Sequence, residues 1–142
     1  MTIEEARKHL ATLWFIVSGL LFLLLILQTI AGKYADKVNE AWGWFLPTIM
    51  PSLSLIAATW VSDVTQTSAE IQEANIFLYR LALSVSGFYL LAVFLALIGN
   101  IFSNTPPLEL MRQSNLFLGP IQGLVAAIIG LFFIRKSSPK GR

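Results

Sequence analysis

Cysteine is absent from the 142 residues. Disulfides, thiolate nucleophiles, iron–sulfur clusters and cysteine-ligated zinc are excluded with it, and the redox compartment is left undecided. Histidine occurs once, as His9, which excludes a bis-histidine haem and a histidine-rich metal site. Charge is scarce as well: Asp, Glu, Lys and Arg make up 13% of the chain, against about a quarter in soluble domains. The ten Lys and Arg residues are scattered at segment ends. They form no basic stripe of the kind nucleic acid requires, so no nucleic-acid partner is expected. No carboxylate pair falls within an apolar segment, and no Gly-rich phosphate loop appears. With no acid, base, nucleophile or metal set assembled, the chain is expected to be neither an enzyme nor a cofactor carrier.

What the sequence does have is apolar length. Hydrophobic residues make up 56% of it, and each bilayer crossing needs about 20 mostly apolar residues. The pattern predicts an all-α fold: one polytopic membrane domain over residues 1–142, a bundle of four transmembrane helices joined by short loops. The helices are expected at about 10–31, 44–61, 68–102 and 116–134, followed by a basic tail, 135–142. The head before the first run carries Arg7, Lys8 and His9 and resembles a signal-peptide n-region. The apolar run behind it exceeds the usual h-region of about 7–15 residues, so an uncleaved transmembrane helix is expected.

Trp42 and Trp44 open the second crossing and fit the headgroup layer, where an amphipathic indole is comfortable. That helix holds Pro47 and Pro51. Pro47 suits a first turn, whereas Pro51 lies deeper and is expected to bend the helix or loosen its hydrogen-bond ladder. Thr67 and Glu70 have capping-box spacing, which places the start of the third helix near Ser68. From there it is expected to run unbroken for about 50 Å at ~1.5 Å per residue. The acidic stretch with Glu70 and Glu73 reads as a solvated loop. Asn104-Thr105-Pro106-Pro107 stops the third helix, and residues 107–115 are expected to form an interfacial turn.

Four crossings put both termini and the middle loop on one side. That side collects Arg7, Lys8, Arg80, Arg135, Lys136, Lys140 and Arg142, against Lys33, Lys37 and Arg112 on the other. The bias predicts cytoplasmic termini.

Helix-face patterning supplies the candidate site. Thr48, Ser52, Thr59, Ser62 and Gln66 fall within about ±40° of one direction at ~100° per residue, with Leu55 in the gap. Such a hydroxyl stripe lines a water-filled pathway with one apolar constriction, or it packs helices. On the fourth helix Gly119, Gly123 and Ala127 form a small-residue ridge that suits close helix contact, within the subunit or between subunits. Gln122 beside it needs a hydrogen-bond partner. The third helix carries a weaker stripe of Ala82, Ser86, Tyr89, Val93, Ala96 and Asn100, and Tyr89 also needs a partner. Arg80 is expected to reach the headgroups or pair with Glu73, with a gating role as the alternative.

The function expected from this is non-enzymatic. The chain is read as a homo-oligomer in the lipid bilayer that forms, or contributes to, an ion-permeable or membrane-perturbing pathway. One alternative is an accessory or scaffolding subunit, whose loops dock a membrane or cytoplasmic protein partner. Another is a small-solute transporter that uses the Pro47/Pro51 discontinuity.

Overall fold

The computed structural model describes residues 2–64 and 75–134, except for the side chains of 61–64 and 133–134. Four helices account for nearly all of it: α1 (Ile3–Ile30), α2 (Val38–Val64), α3 (Ile76–Ile98) and α4 (Pro107–Ile134). Each is long and apolar enough to cross a membrane by length and composition.

The helices begin and end on polar signals outside the apolar runs. At the start of α1, the Thr2 hydroxyl accepts from the Glu5 N–H and the Glu5 carboxylate accepts from the Thr2 N–H, a capping box. The helix therefore starts well before residue 10. It stops at Gly32, whose φ of 75° lets Lys33 N–H donate to Gln28 O and Gly32 N–H to Thr29 O, closing a Schellman motif. A short 3-10 turn, Ala35–Lys37, leads directly into α2, which begins at Val38 rather than near 44. The turn expected over 107–115 is the first part of α4 itself, because Pro107 suits a first helical turn and no Pro or Gly interrupts residues 108–118.

The third helix departs from expectation at its start. Asn75 is extended, and its side chain accepts from the N–H groups of Phe77 and Leu78. This N-cap begins α3 at Ile76, so no single helix runs unbroken from Ser68. The Thr67 and Glu70 capping box lies outside the described residues. At the other end α3 tightens into a 3-10 turn over Gly99–Ile101, where a Cβ on Gly99 would sit 3.3 Å from Leu110 Cδ1 of α4.

Helix neighbours follow a ring. α4 packs against α2 and α3, and α1 packs against the same two, so the order around the bundle is α1, α2, α4, α3. α2 therefore lies diagonally opposite α3, and α1 opposite α4. Trp14, Leu25, Phe45, Ile49, Ile56, Tyr89, Val93, Met111, Ile129 and Phe132 fill the centre. Between 28% and 39% of each helix's most apolar window is buried. The remaining apolar surface, including Leu20, Phe88, Leu91, Leu116 and Leu131, faces outward.

Candidate functional site

Two prolines inside one helix create a problem of unpaired backbone. An α-helical carbonyl accepts from the N–H four residues ahead, and Pro51 has none to give to Pro47. α2 nevertheless continues through both prolines. The freed acceptor finds its donor on another helix: Gln122 Nε2 of α4 lies 3.0 Å from Pro47 O. The next carbonyl, Thr48 O, accepts from the Tyr89 hydroxyl of α3 at 2.7 Å and has Gln122 Nε2 at 3.4 Å. Because α3 is diagonal to α2, Tyr89 reaches its partner through the middle of the bundle. Three helices thus meet at one polar junction, and both Tyr89 and Gln122 find the partners their sequence positions demand.

The α2 stripe turns toward the packed core. Thr48 and Ser52 are buried and Thr59 is half-buried. The Thr48 hydroxyl donates to Trp44 O at 2.6 Å, and Thr59 to Ile56 O at 2.8 Å. Both threonines thus bond back to their own helix. Leu55 sits half-buried on the flank, while Ile49 and Ile56 are the bulky apolar residues on the inner face. Ile56, one residue after Leu55, is the bulky apolar residue that this part of the stripe buries. The Ser62 side chain and all of Gln66 lie outside the described residues.

Next to the junction, several buried polar atoms have no hydrogen-bond partner among the described residues: Trp14 Nε1, Ser18 Oγ, Ser52 Oγ and Ser86 Oγ. Each of these residues is at most 2% exposed. Of the stripe on α3, Ala82, Ser86, Tyr89 and Val93 are buried and Ala96 and Asn100 half-buried. Sequence patterning missed Trp14 and Ser18. Their only signal is an indole and a hydroxyl one helical turn apart in an otherwise apolar stretch.

At the end where α1 and α3 finish, a second polar group ties the helices. Leu97 O accepts from Lys33 Nζ at 2.9 Å and Gln28 Nε2 at 3.3 Å, so a cation caps the negative end of α3. Tyr34 donates its hydroxyl to Gln28 Oε1 at 2.6 Å. Burial pulls the Lys33 ammonium below the usual lysine range and pushes the Tyr34 phenol up to about 12. The tryptophans expected at a headgroup layer both bond inside the protein: Trp42 Nε1 to Thr29 Oγ1 at 3.2 Å, and Trp44 Nε1 to Ser114 Oγ at 3.1 Å.

Gly119, Gly123 and Ala127 are exposed, and a Cβ added at either glycine would meet nothing within 4 Å. Among the described residues the ridge therefore packs against no other helix. Its outward face follows from Leu118, Val125 and Ile129 taking the buried side of α4. Arg80 is exposed, and its expected partner Glu73 lies outside the described residues. Compared with known proteins, the chain matches no family, no curated protein and no solved structure.

Proposed function

We propose that the chain is a non-enzymatic, multi-pass membrane protein with cytoplasmic termini. Several copies form, or contribute to, an ion-permeable pathway that the α2 junction holds closed. Membrane residence is supported by four apolar helices whose larger share of apolar surface faces outward. The orientation rests on the basic excess beside the termini.

The observation that carries the reading is the junction. The Pro47 and Thr48 carbonyls are held by Gln122 and Tyr89 side chains, contacts that break without unfolding any helix. A helix whose hydrogen-bond ladder proline interrupts, and which is latched from its neighbours, can serve as an element with two states. The exposed Gly119, Gly123, Ala127 ridge supplies a contact surface for a second copy, since intimate packing must hold helices together where lipid is as apolar as the protein.

Ion flux from purified protein in liposomes tests this. Wild type should release a trapped ion faster than empty vesicles, and Gln122→Leu should raise the rate several-fold by unlatching α2. Gly123→Leu should abolish flux and shift the assembly toward one copy, with little loss of thermal stability because nothing within the chain is displaced. Flux at the empty-vesicle level for both wild type and Gln122→Leu would favour the accessory-subunit reading. The hydroxyls of Thr48 and Thr59, turned back onto their own helix, support that second reading.

A further inference from the structure

Five buried side-chain polar atoms have no hydrogen-bond partner among the described residues; one, Asn100 Oδ1, lies at the far end of α3, and the other four lie together. Trp14 Nε1, Ser18 Oγ, Ser52 Oγ and Ser86 Oγ are each sealed in the bundle without a hydrogen bond among the described residues. Their positions are related. The Trp14 and Tyr89 rings lie 6.1 Å apart, and the Tyr89 hydroxyl bonds Thr48 O. Ser18 is one turn from Trp14, Ser86 one turn from Tyr89, and Ser52 one turn from Thr48. All four orphans therefore sit within one helical turn, about 5–6 Å along the axis, of three residues linked by contact.

The helix directions sharpen the placement. Leu97 of α3 meets the C-terminal end of α1, whereas Trp42 of α2 meets that same end from its own start, so α2 runs antiparallel to both. Ser52, after Thr48 in α2, and Ser86, before Tyr89 in α3, thus lie on the same side of the Tyr89–Thr48 bond.

We infer that the inner faces of α1, α2 and α3 at Trp14, Ser18, Ser52 and Ser86 form a seam that takes up water when the α2 junction opens, so that the water column runs through each chain. The inference rests on the proposed pathway and names its lining. The seam carries hydroxyls and one indole N–H and no ionised group. Its ligand class is therefore water, together with small solutes that exchange hydrogen bonds with it. Among the described residues the four groups find no hydrogen-bond partner, and each buried polar atom left without one disfavours this arrangement of the bundle. Wetting restores those bonds, and Tyr89, which crosses between α3 and α2, is the side chain that must move to admit the water. Ile49 and Ile56 flank Ser52 on the inner face of α2 and keep the seam dry while it is closed.

The natural absence of cysteine allows a direct test in the full chain. Ser18→Cys, Ser52→Cys and Ser86→Cys are made singly, reconstituted in liposomes and treated with a charged, water-borne methanethiosulfonate reagent. Ser54→Cys is the control. It lies two residues from Ser52, roughly 160° around the helix, on the exposed outer face. The three seam cysteines should react at least tenfold faster than the control, and Gln122→Leu in the same background should accelerate them further. Equal rates at seam and control positions overturn the inference, as does a seam that stays unreactive in vesicles that conduct. Reaction at the seam without any ion flux supports the wetted seam and removes the ion pathway instead.

A second measurement does not depend on introduced cysteines. Ser52→Ala and Ser86→Ala should raise the thermal midpoint of the closed protein, because each deletes an unpartnered buried hydroxyl. A lowered midpoint for both means that the hydroxyls are already satisfied at rest, and the seam proposal falls.

Discussion

Two neighbouring layers of the bundle handle polar atoms in opposite ways. At Pro47 and Thr48 each carbonyl has a donor from another helix. One turn away, at Trp14, Ser18, Ser52 and Ser86, the side-chain polar atoms have none. Reach explains the difference. Packed helix axes lie about 8–10 Å apart, a gap that a glutamine or tyrosine bridges and a serine hydroxyl does not. A short hydroxyl on an inner face therefore bonds its own helix, a long side chain that reaches it, as Trp44 reaches Ser114, or a small guest molecule. Thr48 and Thr59 take the first course, and the serines of the seam do not. The first layer ties helices to one another, and the second leaves buried polar atoms without a partner among the described residues.

The sharpest way to break this contrast is Gln122→Leu. It leaves Pro47 O with no donor, since Pro51 offers no N–H, and with lipid rather than water beside this exposed carbonyl the loss should cost about 1–3 kcal/mol of stability. Thermal unfolding in detergent would read this. A midpoint equal to wild type would mean that the junction contributes nothing. Tyr89→Phe should cost less, about 0.5–1.5 kcal/mol, because Gln122 Nε2 already lies 3.4 Å from Thr48 O and can take over. For the second layer the sign reverses: Ser86→Ala should gain on the order of 1 kcal/mol, and a loss would erase the distinction between the layers. The smallest effect is expected outside both. Arg112 and Glu40 form an exposed ion pair at 2.9 Å, and Arg112→Ala should change stability by about 0–1 kcal/mol, fading as salt is raised.

Much of this was legible before the structure. Composition and apolar length indicate four long helices, and the periodicity of α2 and α3 identifies inner faces at Thr48, Ser52, Ser86 and Tyr89. Helix ends were less legible, because apolar runs report where lipid-like surface lies, whereas Thr2, Gly32 and Asn75 terminate helices through local hydrogen bonds. The inner face of α1 was hidden for a different reason. In a helix apolar on all sides, core and exterior look alike, so Trp14 and Ser18 carry no amphipathic contrast. The side to which the glycine ridge of α4 turns was not legible either, because small residues permit close approach without requiring it. Neighbour order was not legible at all: nothing in the pattern says that α4, rather than α3, lies beside α2.

That order has a consequence for how the protein is made. Pro47 and the glutamine that satisfies its carbonyl are 75 residues apart. At a synthesis rate of about 5–20 residues per second, α2 waits roughly 4–15 s after leaving the ribosome before Gln122 exists. During that interval the hairpin of α1 and α2 lacks the donor that the finished structure gives to Pro47 O. The fourth helix to be translated is thus the one that completes the second, and a chain stalled before α4 would keep the Pro47 carbonyl without this donor.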